Sequence, residues 1–262
     1  MMKKSAFAVV ALAALAAVPA WAQTAAAPAA PASDWTVTGN LGLFSDYRFR
    51  GISQTDKKPA LQGGFDVGHS SGIYLGNWNS NVDSAMYNGA NLEMDFYGGY
   101  KTTVGDFGLD LGVIYYYYPN SGNNPTGSTK INNTELYIGS SFGPVSLKWN
   151  YAVSKFFGAP DSKGSNYLDL TFVHDFGNNF GFNAHYGYQY LKGDARVAEI
   201  GGQFPGPGNI SDWKLGGTYT VDGWVFALAY IATNRNYTAG TAALTNKDIS
   251  SGTAVVSVAK TF

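Results

Sequence analysis

The chain has 262 residues and no cysteine, with 13% charged and 15% aromatic residues, 33 glycines and a formal charge of -1. The lack of cysteine excludes disulfides, thiolate metal centres, Cys nucleophiles and a lipidated cysteine, and the near-neutral balance leaves no electrostatic footprint for nucleic acid as a partner. Few charges with many aromatics and much glycine indicate a sheet facing lipid, or a sticky all-β domain.

Lys3 and Lys4 precede an apolar run from Ala6 to Val18, and Ala20, Trp21 and Ala22 follow with the small-x-small pattern of a processing site. Residues 1–22 are therefore expected to be a signal peptide cleaved after Ala22. The run is too short to cross a bilayer as a helix, and no later stretch reaches the ~20 apolar residues a spanning helix needs. Residues 23–34 are mostly Ala, Pro, Thr and Gln and read as a flexible segment. The folded part is expected to occupy residues 35–262.

From Trp35 onward the dominant period is two. Between Val145 and Val153 the odd positions Val145, Leu147, Trp149 and Tyr151 are apolar, while Ser146, Lys148 and Asn150 are polar. The same alternation predicts strands near 35–47, 60–68, 73–80, 91–100, 107–118, 133–142, 145–154, 165–176, 180–191, 212–221, 224–233 and 252–262. That makes roughly twelve strands of about ten residues, the length that crosses a bilayer at a tilt. The weakest is 73–80, where Asn77 and Asn79 share the face of Ile73 and Leu75.

The connections alternate in length: 69–72, 101–106, 143–144, 177–179 and 222–223 are short, and 48–59, 81–90, 119–132, 155–164, 192–211 and 234–251 are long. An up-and-down antiparallel transmembrane β-barrel with short periplasmic turns and long external loops predicts this alternation, and a Greek-key sandwich does not. Aromatic residues cluster at both ends of the apolar face. Trp35, Tyr100, Phe107, Phe142, Phe176, Phe180, Tyr219, Trp224 and Phe262 fall at the periplasmic end, and Tyr47, Tyr115, Tyr117, Tyr151, Tyr188, Tyr190, Trp213 and Tyr230 at the external end. Such girdles favour the two lipid-water boundaries.

Three stretches resemble a known family. SDYRFRGISQT (Ser45 to Thr55), PALQGGFDVGHSSGIYLGNWNSNVD (Pro59 to Asp83) and the ending VSVAKTF (Val256 to Phe262) are similar to the TorF family of porin-like proteins. The resemblance implies an outer-membrane barrel with a channel role, leaves the solute open and brings no catalytic residue with it. A terminal Phe on an alternating strand also looks like the signal read by the barrel assembly machinery, which makes Phe262 its expected contact.

Catalysis finds little support. Of the three histidines, His69 falls in a short turn, His174 faces lipid near the periplasmic end, and His185 points inward beside Asn183 and Gln189. None stands with a Ser at the external lipid-facing edge, where a lipid hydrolase would need the pair. Asp161, Asp169 and Asp175 lack calcium-loop spacing, and GGQFPGPG (Gly201 to Gly208) has no following helix to hold a phosphate. No cofactor and no enzymatic activity are expected.

The inward faces carry the functional signal. Glu93, Asp95, Asp110 and Glu135 fall on the polar faces of consecutive strands as an acidic stripe, and Lys148, Asp169, His185 and Lys214 also point inward. Arg48 and Arg50, continuing the parity of the first strand, are expected at the external mouth on a remote part of the wall. Ten inward glycines, among them Gly99, Gly112 and Gly187, would leave room for water. Sequence alone thus favours an outer-membrane channel that passes small polar solutes or ions with a weak preference for cations, the partners being lipid and solute. The second reading is a surface-binding barrel with a closed lumen, acting through its long loops.

Overall fold

In the computed structural model the described residues are 33–122, 130–197, 209–235 and 248–262. The expected signal peptide, residues 23–32 of the Ala/Pro-rich segment and the glycine-rich stretch 201–208 lie outside them. In chain order the strands are β1 (Trp35–Phe44), β2 (Arg48–Phe49), β3 (Ile52–Ser53), β4 (Ala60–His69), β5 (Ile73–Asn81), β6 (Leu92–Val104) and β7 (Phe107–Tyr117). They continue with β8 (Asn133–Phe142), β9 (Val145–Ala152), β10 (Asn166–Gly177), β11 (Phe180–Tyr190), β12 (Ile210–Val221), β13 (Trp224–Thr233) and β14 (Thr253–Thr261). A 3-10 turn at Phe156–Gly158 and a four-residue helix, α1 (Asp194–Val197), are the helical elements among the described residues.

All strands except the β2–β3 hairpin form one closed antiparallel barrel of 12 strands. Each pairs with its sequence neighbours, and β1 closes the ring by pairing β14 on one side and β4 on the other. Closure pairs every strand on both sides, which satisfies wall backbone groups within the protein as hydrocarbon surroundings require.

Short turns gather at one end and long connections at the other. Two of the short turns show why. Asn178 (φ 51°) with Asn179 (φ 71°), and Asp222 (φ 49°) with Gly223 (φ 76°), take positive φ at both central positions. This is the type I′ geometry whose twist matches that of paired strands, and Asn, Asp and Gly tolerate it best.

The outer surface is apolar. Leu41, Leu75, Leu111, Leu147, Leu170 and Leu228 are exposed on it, and the expected periplasmic girdle from Trp35 to Phe262 is exposed as a set. At the other end Tyr115, Tyr117, Tyr188, Tyr190, Trp213 and Tyr230 are exposed too. Tyr47 departs from this pattern. β1 leaves the wall after Phe44, so Tyr47 turns into the lumen, where it is buried beside Trp78 at a ring separation of 5.4 Å. On β5 the two outward amides are largely paired: Asn77 Nδ2 donates to the Asp95 carbonyl (3.1 Å) and Asn79 Nδ2 to Asn77 Oδ1 (2.6 Å), leaving Asn79 Oδ1 without a partner among the described residues. That local pairing lets a polar stretch sit in an apolar belt.

Candidate functional site

The lumen changes character along its length. On β6, Glu93 and Asp95 are buried at 1% and 0% exposure, whereas Lys101, farther along the same inward face, is partly exposed. On β10, Tyr167 and Asp169 are buried while Thr171 is partly exposed, and on β12, Asp212 is buried while Lys214 is partly exposed. The long-loop half is therefore sealed, and the short-turn half is reached by water.

The seal is built by segment 45–59. Its hairpin β2–β3 pairs Arg48 with Ser53 and Phe49 with Ile52, which puts Arg50 (φ 47°) and Gly51 (φ 80°) at the two turn positions. The tip reaches across the barrel. Arg50 Nη2 donates to Glu135 Oε2 on β8 (2.7 Å), Nη1 donates to Gln189 Oε1 on β11 (2.5 Å), and the guanidinium lies 4.3 Å from the Tyr167 ring centre on β10. Gly51 faces Asp212 and Thr233, where a Cβ would collide with both. Phe49 packs edge-on to Tyr116 (5.7 Å) and Phe157 (6.0 Å).

The stem is tied down as well. Arg48 Nε donates to Asp46 Oδ2 (2.6 Å), Arg48 Nη1 donates to the Ile249 carbonyl (2.9 Å), and the Ser53 amide donates to the same carbonyl (2.9 Å). Beside this contact, burial works against charge on Asp248. The Ser250 amide and hydroxyl and the Ser251 amide nonetheless hold its carboxyl below the usual carboxylate range. Apolar side chains from the other long connections, including Met86, Tyr87, Tyr118, Phe156 and Leu191, complete a buried cluster over the hairpin.

At the boundary between the sealed and wet halves lies a polar knot. His185 Nδ1 is 3.1 Å from Asp169 Oδ1 and Nε2 is 2.9 Å from Asp212 Oδ1, so both ring nitrogens face acceptors, an arrangement that suits an imidazolium. Tyr167 Oη donates to Asp212 Oδ2 (2.9 Å), and Thr171 Oγ1 donates to Asp169 Oδ1 (2.7 Å). Tyr167 fits because Gly187 leaves it space; a Cβ at Gly187 would meet the Tyr167 hydroxyl and Asp212. Gly187→Ala is expected to destabilise the folded barrel by about 1–3 kcal/mol, the range for overpacking a filled interior. A lowered unfolding temperature in detergent checks this, and an unchanged one would contradict it.

Over residues 28–262 the sequence matches the profile of a family described as "Bacterial protein of unknown function (Gcw_chp)". The chain belongs to the Gcw_chp family. No curated protein matches it. Among solved structures, the NanC porin shares 10% identity and a TM-score of 0.53, covering 87% of this chain and 99% of its own. The KdgM porin, described as in complex with disordered oligogalacturonate, shares 9% identity over 86% of this chain and 97% of its own, at a TM-score of 0.47. OccAB3 of Acinetobacter baumannii shares 12% over 88% and 65%, at 0.44. At these identities the NanC likeness is one of fold, a porin-like barrel.

In this Gcw_chp barrel, Asp110, Lys148, His185 and Lys214 point into the partly exposed lumen, and Asp169 stands at its sealed edge. Glu93, Asp95 and Glu135 lie behind the seal. Arg48 and Arg50 do not stand apart on a remote wall. The chain turns inward after Phe44, so strand parity no longer governs them, and Arg50 joins the acidic stripe directly through Glu135. Nor do the inward glycines simply leave room for water: tyrosine rings lie over several of them, Tyr74 at Gly99, Tyr137 at Gly112 and Tyr167 at Gly187. Lys101 escaped the sequence reading because β6 was expected to end at 100. The parity of Glu93, Asp95 and Tyr97 continues straight to it. Tyr167 and Asp212 were equally legible, sharing parity with Asp169 and Lys214.

Proposed function

We propose that the chain is an outer-membrane barrel that passes small polar solutes passively through a lumen held shut at its external half by the β2–β3 hairpin. The observation that carries this reading is the contrast along β6, β10 and β12 between a sealed, hairpin-filled half and a half whose charged side chains reach water. Side chains fill small barrels completely, while wide ones hold aqueous channels. A barrel stoppered by one inserted segment combines a filled half with an aqueous one. The apolar belt between two aromatic girdles suits a bilayer, and the TorF-like stretches, the signal-peptide pattern and an exposed Phe262 available to the assembly machinery support export to the outer membrane. The short-turn end is then periplasmic.

The weak cation preference expected from sequence rested on Glu93, Asp95, Asp110 and Glu135. With Glu93, Asp95 and Glu135 behind the seal, that preference loses most of its basis. The buried cluster over the hairpin favours a second reading, a surface-binding barrel whose lumen stays closed. Planar-bilayer recording separates the two. The expected result is little conductance from the purified parent and a clear rise when residues 48–53 are replaced by a short Gly-Ser link. A variant that folds, as judged by its shifted gel mobility before boiling, yet is silent like the parent would leave the closed-lumen reading.

A further inference from the structure

Three ammonium groups in the wet half of the lumen make no close ion pair with the carboxylates around them. Among the described residues, no carboxylate lies within ion-pair distance of Lys101, Lys148 or Lys214, and none of the three ammonium groups donates a hydrogen bond. Lys101 Nζ rests 4.1 Å from the Tyr74 ring centre and Lys148 Nζ 3.8 Å from that of Tyr137, contacts that steady a cation without neutralising it. The nearby carboxylates are already engaged. Asp110 accepts from Tyr74 (2.6 Å), Asp66 from Tyr97 (2.7 Å), and Asp169 and Asp212 face His185. In this half each of these carboxylates accepts a hydrogen bond, while the three ammonium groups donate none among the described residues.

The topology sets these donors on three walls of one lumen. Lys101 is on β6, Lys148 on β9 and Lys214 on β12, every third strand of the ring. Three inward ammoniums thus stand a quarter-turn apart. Register ties them together: Lys101 is opposite Asp110, Lys148 opposite Gly139 and Asp169, and Lys214 opposite His185. The remaining half of the ring presents the small, uncharged Ala229, Ala259 and Gly42 on β13, β14 and β1, and Asp66 and Tyr74 on β4 and β5, both engaged in hydrogen bonds. A partly desolvated ammonium without an anion is costly, and a small anion entering here would meet several charged donors at once.

We propose that Lys101, Lys148 and Lys214 form a binding site for small oxyanions, carboxylate or phosphate, in the water-reached half of the lumen. The inference rests on the conduit reading for its role in transport, as it names the class of solute the conduit would favour. The site itself can be tested without conduction.

The full chain, folded in detergent, is titrated with sodium succinate or inorganic phosphate against chloride at matched ionic strength, following thermal unfolding. Reversal potentials are recorded in bilayers under a salt gradient. Succinate or phosphate is expected to raise the unfolding temperature beyond chloride, and each Lys→Gln change to weaken that response about tenfold or more, the size of a lost charged hydrogen bond. Lys148→Arg, which keeps the charge, should retain it. A wild-type response no greater than that to chloride, or one unchanged in K101Q/K148Q/K214Q, overturns the site. The single Lys148→Gln variant serves the same purpose if the triple variant does not fold. Conduction with cation selectivity would overturn this inference and leave the conduit standing. A protein that stays silent with residues 48–53 replaced, yet whose succinate response needs the lysines, would uphold the site and overturn the conduit.

Discussion

Replacing Glu135 with alanine is expected to open the lumen while the barrel stays folded. Glu135 is fully buried and accepts from Arg50 Nη2 (2.7 Å), Asn133 Nδ2 (3.1 Å) and Tyr116 Oη (3.4 Å). Without the carboxylate, Arg50 keeps its charge in a dry place with only Gln189 and aromatic faces around it. Breaking one side of a buried ion pair costs about 3–5 kcal/mol. The wall is held by ladders between its strands, whereas β2 and β3 ladder only with each other and meet the rest of the chain through side chains and the Ser53–Ile249 backbone bond. Withdrawal of the hairpin into water is therefore the cheapest relief. Open probability in planar bilayers should rise at least several-fold in Glu135→Ala and in Arg50→Met, each of which strands one charge. The double variant R50M/E135Q keeps the packing and removes both charges, so it should return toward the closed state. If both single variants record like the wild type, the ion pair does not hold the hairpin in place.

The sequence and the structure agree best where a repeated physical rule operates. Alternation of period two defined the barrel strands because each separates lipid from lumen, so a residue's parity is its environment. Tyr47, Arg48 and Arg50 escaped that rule. The alternation Leu41, Gly42, Leu43, Phe44 can be continued through Asp46 and Arg48 on paper, yet nothing at residue 45 announces that the chain departs from the wall. The hairpin turn is Arg50-Gly51, and an Arg at positive φ lacks the Asn-Gly or Asp-Gly signature by which such turns are recognised. Arg50 holds that conformation because its guanidinium is fixed at the far wall, a tertiary constraint with no local trace. For the same reason the acidic stripe was legible and its fate was not. Parity put Glu93, Asp95 and Glu135 on one inward wall, but whether an inward carboxylate meets water depends on where a loop dozens of residues away comes to rest.

The strip formed by Glu93, Asp95 and Glu135 also yields a prediction of opposite sign to that for Glu135. Replacing Asp95 with alanine is expected to leave the barrel as stable as the parent or to stabilise it by about 1–3 kcal/mol, the range for removing an unsatisfied buried polar group. Asp95 is fully buried, and neither carboxylate oxygen has a hydrogen-bond partner among the described residues. Its neighbour Glu93 receives the Tyr47 hydroxyl at 3.1 Å on one oxygen and leaves the other unpartnered. Most large-to-small changes in a packed interior cost stability through lost contacts. Here the deleted group is a carboxyl whose two oxygens have no hydrogen-bond partner among the described residues, and the residue cross-strand from Asp95 on β7 is Tyr116, whose ring can close over the small gap. Because Asp95 lies behind the hairpin, Asp95→Ala should also leave the reversal potential unchanged in dilute salt, where any lumenal charge exposed to water would act over a Debye length of roughly 10 Å or more. The measurements are thermal unfolding in detergent and bilayer recording on one preparation. A loss of more than about 3 kcal/mol, beyond what the emptied volume explains, would mean that Asp95 holds a partner such as a bound cation or an ordered water. A shift of the reversal potential toward anions would mean that the acidic wall is wet and that the hairpin does not seal it.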